Sequence, residues 1–133
     1  MKQSMALNSL SPLAEVPVNE QGFDGSELVD RMMGDEDLAR LVVATFIEDM
    51  PRQLAALGQA LGSADAPAMQ MGAHAIKGAA ANVGEPSLRA IAAQLEKLGE
   101  AGDLQSAVAV LPELSSIFES RRPHLQHFCD NEA

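Results

Sequence analysis

Four closely spaced stop-and-start signals constrain this chain more than any other feature. Gly34-Asp35, Gly62 with Asp65, Gly84 with Pro86, and Gly102-Asp103 divide it into stretches joined by links of only a few residues. Glycine ends helices because it enters the left-handed conformation without a Cβ penalty. Aspartate caps the free N–H groups of the next helix, and proline tolerates a first-turn position. Asp24 followed by Glu27 fits a capping box, so a short helix is predicted to open there and close at Gly34.

The stretches between the signals are amphipathic with a helical period. Leu38, Val42, Phe46, Met50, Leu54, Leu57 and Leu61 recur at spacings of three and four and predict one continuous apolar face, with a kink at Pro51. Met69, Ala73, Ile76, Ala80 and Val83 form the seam of the next helix, and Leu88, Ile91, Leu95 and Leu98 that of the one after. Beyond Asp103 the face is Leu104, Ala107, Leu111, Leu114, Phe118, Leu125 and Phe128, with bends or a helix break expected at Pro112 and Pro123. No segment alternates with period two. Short links between amphipathic helices make neighbours antiparallel, which predicts an all-α, antiparallel up-down four-helix bundle preceded by one short helix. The bundle domain is placed at residues 22–130, and residues 1–21, broken by Asn8, Ser9, Pro12, Glu15 and Pro17, read as a flexible linker rather than a signal peptide.

Composition narrows the function. With four Phe and no Trp or Tyr, the core must be built from Leu, Ala, Val, Ile and Met, which suits helices. Nineteen acids against nine Lys and Arg give a formal charge of −10, which disfavours nucleic acid and anionic membrane surfaces as partners. The lone Cys129 excludes a disulfide within the chain and a cysteine-based metal knuckle, and together with the absence of a long apolar run it places the protein in the cytoplasm. His124 and His127, close to Cys129, lack an evident fourth ligand; with Arg121 and Arg122 they read as cations at the negative end of the last helix dipole.

The helix carrying Met69 to Val83 departs from a generic bundle helix. His74 lies one position outside its seam, roughly 100° round from Ala73, and Lys77 and Gly78 follow on the adjacent turn. A mid-helix Gly costs about 1 kcal/mol relative to Ala, so Gly78 implies close approach by another molecule. Between Ala66 and Gly84 there is no Asp or Glu, and Lys77 is the sole charged residue. A neutral imidazole is a nucleophile toward phosphorus, and a phosphoryl group of about −1.5 to −2 charge would be attracted by Lys77 and opposed by carboxylates. Gln94 and Lys97 are candidates to reach His74 from the following helix, although solvated positions suit both, and Glu96 and Glu100 read as solvated charge.

The run Ala73-His74-Ala75-Ile76-Lys77-Gly78-Ala79-Ala80-Ala81-Asn82-Val83-Gly84 resembles the signature of histidine-containing phosphotransfer (HPt) domains of bacterial multistep phosphorelays. Phe23-Asp24, Gly34-Asp35, the stretch from Phe46 to Pro51, Leu95-Glu96 and Gly102-Asp103 extend the resemblance over residues 22–128. It implies a phosphoryl carrier: His74 accepts the group on its outer ring nitrogen from a receiver-domain aspartate and passes it to another receiver. Lys77 then stabilises the phosphoryl charge and Gly78 clears space for the receiver. Ala79 stands where relatives often have Ser, so a hydroxyl contact is missing here.

The resemblance also implies no kinase activity and no cofactor in this chain, the Mg²⁺ belonging to the partner receiver. Met71, Ala75 and Ala81 would form the apolar rim for receiver docking, with Met32 and Met33 flanking it. The partners implied are response-regulator receivers, with the chain either free-standing and monomeric or a module of a hybrid sensor histidine kinase. The alternative is an adaptor that binds a receiver without carrying phosphate.

Overall fold

In the computed structural model, which describes residues 23–130, the helices begin where the capping residues stand. They are α1 (Ser26–Arg31), α2 (Glu36–Gly62), α3 (Ala66–Val83), α4 (Pro86–Ala101) and α5 (Leu104–Asp130). Residues 1–21, assigned to a linker, lie outside the described residues, as does Gly22. The Asp35 carboxylate accepts the Leu38 N–H (3.0 Å), Asp65 that of Ala68 (3.1 Å) and Asp103 that of Ser106 (3.1 Å). Each satisfies one donor the helix cannot pair internally.

α2 packs against α3 and α5, and α4 against α3 and α5, while α1 rests on α2. This closes an antiparallel four-helix bundle preceded by a short helix, as expected, and the described residues contain no strand. The α3 seam is as the spacing predicts: Met69, Ala73, Ile76, Ala80 and Val83 are all buried. Edge-to-face ring pairs close the core at two levels, Phe46 on Phe118 (centroids 6.3 Å apart) and Phe23 on Phe128 (5.3 Å).

Several local expectations are corrected. Asp24 is not a capping-box residue: its carboxylate takes the Ser26 N–H (2.7 Å), and Gly25 (φ 66°) is the N-cap with no side-chain capping bond. A Cβ there would stand 2.7 Å from the Phe128 ring, so both conformation and packing require glycine. Gly34 closes α1 in the left-handed conformation (φ 84°), as expected, but Gly62 does not end α2 in that way. α1 closes by paired bonds, Gly34 N–H to the Val29 carbonyl (2.9 Å) and Met33 N–H to that of Asp30 (3.0 Å), with Met33 in the left-handed position. Ala64 takes that position after α2, while Gly62 is the last residue of the helix.

The buried face of α2 is also shifted. It is Ala39, Val43, Phe46, Ile47, Met50, Leu57 and Ala60, while Leu38 is exposed and Val42, Leu54 and Leu61 are only partly buried. α5 runs unbroken through Pro112 and Pro123, as α2 does through Pro51. Burial of Leu114, Ile117, Phe118 and Leu125 on both sides of the proline positions holds the helix line against the cost of about 3 kcal/mol that an interior proline carries.

Arg121 does not serve the helix dipole from the surface. It is 2% exposed and forms a two-pronged ion pair with the equally buried Glu85, Nε to Oε1 at 2.9 Å and Nη2 to Oε2 at 3.1 Å. This pair ties the α3–α4 junction to α5. Its neighbour Arg122 lies over the Phe118 ring, 5.6 Å from the centroid.

Candidate functional site

α3 presents His74 to solvent because its seam is anchored on either side by Ala73 and Ile76, both fully buried. The imidazole is 68% exposed. Its Nδ1 lies 2.8 Å from Glu96 Oε2 on α4, and the other oxygen of the same carboxylate lies 2.6 Å from Lys77 Nζ. One carboxylate therefore spans the nucleophile candidate and the ammonium beside it. Lys77 holds the Glu96 carboxyl below the usual carboxylate range, chiefly through its hydrogen bond, and the His74 hydrogen bond adds to this.

The protonation pattern follows from that charge. An ionised carboxylate only accepts, so His74 Nδ1 must carry a hydrogen, and in the neutral ring Nε2 then keeps its lone pair. No hydrogen bond to Nε2 exists among the described residues, and the exposed ring leaves it to an incoming partner. This is the orientation of a nucleophile whose second nitrogen is held by a carboxylate.

Glu96 is thus the residue that reaches His74, not Gln94 or Lys97, both of which are exposed. The reading of Glu96 as solvated charge is corrected, and so is the picture of a site without carboxylates. The charge map of α3 alone could not reveal a group from the neighbouring helix. Lys77 is two-thirds buried with no acid on its own helix, so its counter-charge comes from Glu96, next to the buried Leu95; of this the sequence shows only the missing acid.

Gly78 borders open space, with no atom within 4 Å of where a Cβ would stand. The fold itself therefore does not require glycine there. Met71 (72% exposed), Ala75 and Ala81 share this solvent face of α3 with His74. The two methionines of the α1 end part company: Met33 is exposed, while Met32 packs against the core. His124, His127 and Cys129 form no metal-ligand group, and no three such side chains gather among the described residues. None of the described helices is long and apolar enough to cross a membrane.

The crystal structure of histidine-containing phosphotransfer protein B from Pseudomonas aeruginosa PAO1 is similar over 86% of this chain and 100% of its own, with a TM-score of 0.74 and 27% identity. No curated protein gives a significant match to the sequence. The Hpt domain family model matches residues 41–129, which include the whole of α3 and the Glu96 turn of α4. By that match over most of its length, the chain belongs to the Hpt domain family.

Proposed function

We propose that this protein is a phosphoryl carrier of a two-component phosphorelay, taking the group from a receiver-domain aspartate onto His74 and handing it to a second receiver. The observation that carries the reading is the Glu96 bridge, which engages Nδ1 and leaves Nε2 outward, with its lone pair available in the neutral ring. In the transfer, the Nε2 lone pair forms the new N–P bond while the P–O bond of the aspartyl phosphate breaks. The bonding pair leaves with the aspartate as carboxylate. His74 keeps its Nδ1 proton and becomes a cationic ring, and Glu96 lies where that charge develops. Lys77, within reach of the same region, offsets the charge of the phosphoryl group. The return step is the reverse of this one, which suits a carrier.

The receiver brings the aspartate and Mg²⁺, and this chain brings the nucleophile and has no kinase step of its own. Met71, Ala75 and Ala81 form the apolar rim that meets the receiver, and a cytoplasmic monomer, alone or as part of a hybrid kinase, suffices for the role. Incubation with a phosphorylated receiver should place an acid-labile, base-stable phosphoryl group on the peptide containing His74, read by mass spectrometry. Stable binding to receivers without transfer in either direction would instead establish an adaptor.

Gly78 supplies a separate check on the docking face. Because a Cβ at that position meets nothing in this chain, Gly78→Ala should stabilise the free protein by about 0.8–1 kcal/mol in urea unfolding. The same variant should slow transfer from a receiver, since the added methyl stands beside His74. A gain in stability with no loss in transfer rate would remove Gly78 from the interface.

A further inference from the structure

α3 and α4 pack more extensively than any other helix pair, and one tight contact between them lies next to the functional site. Gly99, buried in α4, faces the backbone of Gln70 in α3. A Cβ on Gly99 would stand 2.8 Å from Gln70 N, 2.9 Å from its Cα and 3.0 Å from its Cβ. Carbon atoms in contact normally sit about 3.5–4.0 Å apart. Main-chain atoms cannot rotate out of the way, so any side chain at position 99 must push the two helices apart or turn them.

The other helical glycines do not share this situation. Gly58, Gly62 and Gly78 face open space, and a Cβ on Gly72 would meet only the end of the Leu57 side chain, which can swing aside. Gly99 alone among them abuts a neighbouring backbone. Gln70 is one turn before His74 on α3, and Gly99 is one turn after Glu96 on α4. The close contact and the carboxylate bridge are therefore adjacent rungs between the same two helices. The bridge has little slack: hydrogen bonds of 2.8 and 2.6 Å are lost once the helices separate by about 1 Å.

We infer that Gly99 is a positioning residue, whose missing side chain brings α4 near enough to α3 for Glu96 to hold His74 Nδ1 and Lys77 at once. The inference deepens the carrier reading and rests on it for its bearing on phosphoryl transfer. A displacement on this scale at a reacting group is enough to cost a large part of its rate.

The decisive measurement is the tautomer of His74, read from its two ring ¹⁵N shifts by NMR at a pH where the ring is neutral. The parent should be dominated by the Nδ1–H form. Gly99→Ala, shown by circular dichroism to be folded, should shift toward the Nε2–H form that free histidine favours. Transfer from a phosphorylated receiver should fall about tenfold in Gly99→Ala, and the same substitution in a Glu96→Ala background, which has no acceptor left for Nδ1–H, should cost no more than Glu96→Ala alone. A folded Gly99→Ala protein with the parent tautomer, or with losses that simply multiply those of Glu96→Ala, overturns the inference. If Gly99→Ala does not fold, nuclear Overhauser contacts between the Gly99 Hα protons and the Gln70 amide decide in the parent, and their absence overturns it equally. The ring measurement needs no receiver, so a parent protein that takes no label refutes the carrier reading without being confused with failure at Gly99.

Discussion

His74→Gln will take no phosphoryl group from a phosphorylated receiver, and its fold and stability will stay close to the parent's. Glutamine offers hydrogen bonding and a helix propensity similar to many surface residues, but no nitrogen lone pair able to bond phosphorus. The side chain it replaces is 68% exposed and sits outside the seam, so the change in stability should lie within about 0.5 kcal/mol. Loss of labelling in a folded protein is then chemical and not structural. Label retained at the parent level would show that another group is the acceptor.

Glu96→Gln separates the nucleophile from its support. An amide oxygen still accepts from Nδ1–H, but the charge that favours a cationic ring is gone, so transfer should slow by about 10- to 100-fold and not vanish. The pH dependence follows from the lowered pKa of Glu96. A depressed carboxyl contributes in full above its ordinary range and is lost only as pH falls through the depressed value. Throughout the neutral range the bridge is intact, and mild acidification should leave the Glu96 contribution to transfer unchanged.

The α3 helix was legible residue by residue because a single row of apolar side chains runs along it, bounded by Asp65 and Gly84. α2 was not. It carries two neighbouring apolar rows, one through Leu38 and Val42 and one through Ala39 and Val43, and spacing alone cannot decide between them. Phe46, Met50 and Leu57 of the predicted row are buried as expected, but the larger residues drew the prediction to Leu38 and Val42, while small Ala39 and Ala60 are the ones buried. Pro112 and Pro123 misled for a related reason: local propensity argues for a break, and burial of residues before and after each proline overrides it.

At the site, the residues of α3 could be read from their spacing and from the family signature, since they share one helix. Glu96 could not be assigned a role, although Leu95-Glu96 belongs to the recognised pattern, because its partners lie on a different helix. Glu85 and Arg121 were missed for the same reason, being 36 positions apart. Charges that pair across elements leave no periodic trace in a sequence.

That second pair should carry the largest effect on stability. Arg121→Met removes the partner of a carboxylate that is only 2% exposed, and an uncompensated buried charge typically costs about 3–5 kcal/mol. Methionine fills much of the arginine volume, so the cost comes from stranding Glu85 and less from a cavity. In a domain of this size the loss amounts to roughly 10–20 °C in Tm, and urea unfolding should report it as a lower midpoint. Replacing both members tests the cause: Arg121→Met with Glu85→Leu has no orphaned charge and should recover most of the deficit. If the double variant is as unstable as the single one, the pair's value lies in its shape and not in its charge balance. Because Glu85 follows Gly84 at the end of α3, and its N–H closes that helix on the Ala80 carbonyl (2.9 Å), the single variant should also loosen the last turn of the helix that carries His74. Faster amide exchange from Ala81 to Glu85 than elsewhere in α3 would register that local release.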